Sequence, residues 1–168
     1  MFQTGDTVRY GQAGICRVEE IKKMKMGGEE QDYYVLMPLF KSGAVLFVPC
    51  GNETLVAKMV SPLTRDEIEA VVRDVRAQKP EWIRDFRRRS EASKKALASS
   101  DRRDALHLIK NIYAHKADIL GEGKRIHTTD DYFLKDAENL IYSEIAYVQN
   151  KEYAVVEKEV KAALKIEE

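Results

Sequence analysis

The sequence predicts an α+β protein in two parts, a small β-barrel of about five strands over residues 1–60 and a compact bundle of about five helices over residues 61–168. Three observations carry this reading. Before residue 61 the apolar residues come in short, β-branched or alternating runs, the mark of strands. The same stretch holds seven of the nine glycines, which small curled sheets need at tight turns and bends. After residue 61 the apolar spacing changes to the helical period.

The strands follow in order. Asp6-Thr7-Val8-Arg9-Tyr10 alternates polar and apolar, and Gly11-Gln12-Ala13-Gly14 punctuates it. Ile15 to Met26 forms a long run ended by Gly27-Gly28, a hairpin turn signal. Tyr33-Tyr34-Val35-Leu36-Met37 is a further strand, closed by Pro38. Lys41-Ser42-Gly43 marks a second turn before the strand Ala44-Val45-Leu46-Phe47-Val48-Pro49.

The helices follow. Thr64 and Glu67 make a capping box ahead of Ile68, Val71, Val72 and Val75. Lys79-Pro80-Glu81-Trp82 opens a second helix, with Pro80 in its first turn. Asp101 caps a third, whose inner face reads Ala105, Leu108, Ile109 and Ile112. Thr128-Thr129-Asp130-Asp131 starts a fourth, with Phe133, Leu134, Ala137, Leu140, Ile141, Ile145 and Val148 in one stripe. Asn150 starts a fifth, carrying Val156, Val160, Ala163 and Leu164.

Composition narrows the function. Apolar residues make up 44% and charged residues 33%, so the chain can build a core and is not disordered by composition. Lys plus Arg is 28 and Asp plus Glu is 28, so any charge directed at a partner is local. Two cysteines, Cys16 and Cys50, without a Cys-x-x-Cys, exclude a disulfide framework and a four-cysteine zinc site. No signal peptide or membrane span is expected, and the expected setting is cytoplasmic.

Motifs for catalysis are missing. His107, His115 and His127 form no His-Glu-x-x-His, and two isolated histidines on one helix do not complete a metal site. Gly121-Glu122-Gly123-Lys124 lacks the flanking residues of a phosphate loop, since Asp118 and Arg125 stand at the required positions. A non-catalytic protein is expected, with no cofactor, metal or small-molecule substrate.

Charge gathers in one segment. Residues 84–95 hold Arg84, Arg87, Arg88, Arg89, Lys94 and Lys95 against Asp85 and Glu91. The only tryptophan, Trp82, stands at its start with Phe86 four residues on; on one helix the two would share a face. Two readings stand side by side. In one, the rings form an exposed knob bordered by arginines, with the arginines on phosphates and an aromatic wedged into a minor groove. In the other, the rings are core and the arginines a solvated face.

The order of these parts resembles the CarD/CdnL family of bacterial RNA polymerase-binding transcription regulators. The residues that carry the resemblance are Gly5-Asp6-Thr7-Val8-x-Tyr10-x-x-x-Gly14, the strand ending Val48-Pro49, and the aromatic–arginine segment with Leu97-Ala98-Ser99-Ser100-Asp101. Leu108-Ile109-Lys110-Asn111-Ile112-Tyr113 and Leu134-Lys135-Asp136-Ala137-x-x-Leu140-Ile141-x-x-Glu144-Ile145-Ala146 extend it.

The resemblance implies a Tudor-like N-terminal domain, like the polymerase-interacting domain of transcription-repair coupling factors, that docks on the RNA polymerase β subunit. It also implies a helical domain that touches promoter double-stranded DNA at the upstream edge of the bubble, near the fork junction. There an aromatic wedge stabilises the open complex. The family pattern of Trp, any residue, two basic residues and an aromatic fits in two registers. Trp82-Ile83-Arg84-Asp85-Phe86 keeps the tryptophan but loses a basic residue to Asp85, whereas Phe86-Arg87-Arg88-Arg89-Ser90 keeps the basic pair. Either Trp82 or Phe86 is then the wedge, with Arg84, Arg87, Arg88 and Arg89 as expected DNA contacts. Some family members carry arginines where this chain has Met24 and Phe47, so an apolar docking surface of Met24, Val45, Leu46 and Phe47 is expected. The alternative function is a protein–protein adaptor whose Tudor-like module binds a peptide and which never touches nucleic acid.

Overall fold

A computed structural model describes residues 1–40 and 43–166. The chain forms two compact units, Met1–Pro62 and Leu63–Glu168. The turn read at Lys41-Ser42-Gly43 lies partly outside the described residues.

The first unit contains strands β1 (Thr7–Tyr10), β2 (Gly14–Lys25), β3 (Glu30–Pro38), β4 (Leu46–Pro49) and β5 (Met59–Val60), with helix α1 (Glu53–Val56) before β5. All pairings are antiparallel and the order is β4-β3-β2-β1-β5. The hydrogen-bonded order is thus a five-stranded antiparallel meander with β4 and β5 as its outer strands, in agreement with the small five-stranded β unit read from the sequence. A 3-10 turn over Gly11–Ala13 lets β2 double back on β1. Gly11 and Gly14 both have positive φ there, which side chains rarely adopt. Gly27, also at positive φ, turns β2 into β3. A bulge between Val18 and Glu20 shifts the long β2–β3 ladder and re-aims the strand beyond it. The core of this unit is Val8, Cys16, Val18, Tyr34, Leu36, Val48 and Met59.

The second unit is five helices, α2 (Arg65–Arg76), α3 (Phe86–Ala98), α4 (Arg102–Leu120), α5 (Thr128–Gln149) and α6 (Tyr153–Ala163). The capping box at Thr64 and Glu67 is formed at the start of α2. Helix α5 is central and buries an unbroken run from Leu140 to Ala146. One of these residues is charged. Glu144 accepts Arg102 Nε and Nη2 at 2.9 and 2.7 Å and the Leu63 backbone N–H at 3.1 Å.

Two helix starts differ from the sequence reading. Asn150 does not open the last helix. It ends α5 in the left-handed conformation, φ 52°, its N–H bonded to the carbonyls of Ala146 and Tyr147, a stop that asparagine tolerates well. The second helix of this unit does not begin at Pro80 either. Residues 78–84 are irregular, and α3 begins only at Phe86, after Asp85, whose side chain accepts the Arg88 N–H at 2.8 Å. An Asp N-cap satisfies an orphan amide at the helix start, whereas Pro80 forces Lys79 toward extended backbone. The Asp85 that breaks the family pattern is the cap of this helix.

Candidate nucleic-acid interface

The extended segment before α3 is held by α4. Lys110, on α4, donates to the carbonyls of Val75, Arg76 and Gln78, placing a cation where the dipole of α2 ends. Its neighbour Asn111 accepts the Glu81 N–H at 2.9 Å. One turn further, His115 stacks parallel to Trp82, with 3.7 Å between centroids and 5° between planes. The Lys110-Asn111 pair in the family-like motif therefore ties down the irregular segment.

Arg89 organises the other side. Its guanidinium carbon lies 4.5 Å from the Trp82 centroid and 5.4 Å from that of Phe86. Nε and Nη2 donate to the two carboxylate oxygens of Asp130, each at 2.9 Å. Nη1 donates to the carbonyls of Ile83 and Arg84 at 2.9 and 3.2 Å. The stacked imidazole fills one face of Trp82, so the guanidinium takes the other. Trp82 is half-buried against the helical core and offers an edge rather than an open face. Phe86 is 42% exposed and tilts against His127, 4.3 Å away. His127 itself caps α5 through its Nδ1, which accepts the Thr129 N–H.

Trp82 is thus tied to the core without being sealed in it, and Phe86 is open. They do not share a helix, because Trp82 precedes the cap. They flank one guanidinium instead.

The arginines divide. Arg84, Arg87 and Arg88 are exposed, Arg87 beside Glu91 at 3.7 Å. Arg89 stands apart from them: its side chain is only 12% exposed, and four of its five donors serve Asp130 and two backbone carbonyls. Ile83, 42% exposed, was not singled out in the sequence and lies among these groups. With Arg88 and Lys95 it lines a shallow depression of about 490 Å³. The signal that would have found it is the Asp85 cap, which takes residues 81–84 off the helix and turns Ile83 outward. A second cleft, about 450 Å³, lies under Trp82, with His107 and Asn111 in its wall. Burial and the nearby Lys110 cation hold the His107 pKa below its ordinary value, against the pull of Asp104, Glu81 and Asp101.

In the first unit the four docking candidates separate. Phe47 is 41% exposed and pairs across β3 with Val35. Leu46 turns the other way and, partly buried, packs against the core, which follows from strand alternation with the buried Val48. Val45 is half-buried before β4 begins. Met24 pairs with Gln31 and faces the same side as Phe47. Its row lies four residues along β3 from that of Phe47, about 13 Å at the strand rise, so the two do not form one contiguous patch. Strand β4 pairs only with β3 and leaves an edge.

Among the described residues no helix is long and apolar enough to cross a membrane, and no group of three or more His, Cys, Asp or Glu is placed to hold a metal ion.

The first unit belongs to the class of small antiparallel β modules. Residues 2–60 match the family model of the CarD-like/TRCF RID domain, so this unit is a CarD-like RNA polymerase-interacting domain. The match ends where the helical unit begins.

Proposed function

We propose that this protein is a non-catalytic transcription regulator that docks on the RNA polymerase β subunit through its first unit and contacts promoter DNA near the fork junction through its helical unit, stabilising the open complex. The observation that carries the DNA part is the exposed set of Phe86, Ile83 and the Trp82 edge among Arg84, Arg87 and Arg88. Guanidinium groups neutralise phosphates without regard to sequence. Apolar groups among them can wedge into a minor groove and oppose reannealing. On the polymerase side, the edge of β4 and the exposed Phe47 suit strand addition with a side-chain anchor.

A weak DNA contact suffices in this scheme. Docking on polymerase raises the local concentration of the helical unit at the promoter, which fits a chain of zero net charge. A stabilisation of ~1.4 kcal/mol moves the open–closed equilibrium tenfold. The test is open-complex lifetime with the full chain carrying Trp82→Ala or Phe86→Ala. Lifetime is expected to fall while polymerase binding persists, and binding to fork-junction DNA with polymerase present is expected to weaken with salt. If both variants leave lifetime unchanged and no salt-sensitive DNA contact exists, the protein is an adaptor between proteins.

A further inference from the structure

One guanidinium holds together Trp82, Phe86 and the Ile83-Arg84 backbone of the proposed DNA surface. Arg89 lies over Trp82 and Phe86, and its Nη1 fixes the backbone of Ile83 and Arg84. What aims that guanidinium is Asp130, 41 residues away on the first turn of α5, 1% exposed and gripping it with both oxygens. A bidentate fork fixes the guanidinium plane as well as its place. A plane so fixed determines where the two rings can lie. With His115 on the opposite face, Trp82 has no freedom to rotate out of its stack unless Arg89 moves.

We infer that Asp130 is a positioning residue for the aromatic edge, setting the pose of Trp82 and Phe86 through Arg89 without touching nucleic acid itself. Its role in the open complex rests on the function proposed above; its role in placing the rings does not. The wedge is therefore preformed in the free protein and built from helices α3 and α5 and the segment before α3. Freezing it beforehand removes an ordering cost from the DNA contact.

Asp130→Asn tests this in the full chain, since it keeps the side-chain size and removes one of the two acceptors. Trp82 is the sole tryptophan, so its fluorescence reports the stack directly. The expected result, well below the unfolding temperature, is an altered Trp82 emission intensity and maximum, unchanged polymerase affinity, and an open-complex lifetime roughly tenfold shorter, the equivalent of ~1.4 kcal/mol. Trp82→Ala with Asp130→Asn should lose less than the sum of the two single losses, because part of the Asp130 effect runs through the Trp82 ring already removed and the rest through Phe86. Should Asp130→Asn not fold, Arg89→Lys serves, since an ammonium cannot make the bidentate grip or lie flat on both rings, and the same losses are expected. Unaltered Trp82 emission in a folded variant overturns the positioning role. Additive losses in the double variant overturn its link to the open complex. If Trp82→Ala itself has no effect on lifetime, the DNA reading fails while the emission result still decides whether Asp130 places the ring.

Discussion

Replacing Glu144 by Gln should cost the helical unit about 3–5 kcal/mol, the range for breaking a buried ion pair from one side. The carboxylate lies in the buried stretch of α5, and among its contacts are hydrogen bonds from Arg102 Nε and Nη2 and from the Leu63 amide. Both partners of the pair are nearly sealed, at 2% and 7% side-chain exposure. A glutamine keeps the volume but turns an NH₂ toward a donor, so one of those groups loses its acceptor. The guanidinium then stays buried without the Glu144 carboxylate charge opposite it, while contacts such as the one to the Ser100 carbonyl at 2.8 Å remain. Against a typical stability of 5–15 kcal/mol such a loss is large. For a domain of ~100 residues it lowers the melting temperature on the order of 15–30 °C. Thermal unfolding followed by far-ultraviolet circular dichroism measures it. A companion variant with Arg102→Met and Glu144→Leu should lose less than Glu144→Gln, because no charge is left behind. A Glu144→Gln protein within 1 kcal/mol of the parent would refute the reasoning, and would mean that water reaches the guanidinium.

Two further outcomes are expected. Lys110→Met removes the cation from three carbonyls at the end of α2 and should cost about 1.5–3 kcal/mol, the scale of a hydrogen bond to a charged group; denaturant unfolding checks it, and a midpoint equal to that of the parent contradicts it. For His107, whose folded-state pKa lies below the ordinary 6.5, the unfolded chain binds the proton more readily. Its contribution is therefore constant above about pH 6.5 and is lost as pH falls below it, so the melting temperature of His107→Gln should fall less than the parent's between pH 7 and pH 5.

Much of this architecture could be read from local chemistry. Glycines at positive φ, the hairpin turn at Gly27-Gly28 and the capping box at Thr64 and Glu67 each act within a few residues, and short-range chemistry of that kind is visible in a linear pattern. The same locality explains the error at Pro80. Proline is welcome in a first helical turn, but Asp85 offered a better cap five residues later, and capping won. The error at Asn150 has the same form: an asparagine serves either end of a helix, and its left-handed geometry here makes it a stop.

Apolar periodicity alone establishes that a strand-rich part precedes a helical one, and composition alone that aromatic and basic residues crowd one segment. Those properties belong to periodicity and composition, which neighbouring residues express unaided. Which of the arginines is engaged inside the protein follows from long-range folding. Arg87, Arg88 and Arg89 are adjacent and chemically alike, yet Asp130, far along the chain, claims one of them and leaves the others exposed. Likewise Leu46 and Phe47 are neighbours of similar hydrophobicity, and only the pairing of β4 with β3 turns one inward and the other out. Partners brought together by folding lie beyond the reach of any local pattern, because the free energy that selects them comes from burial and pairing across distant stretches of chain.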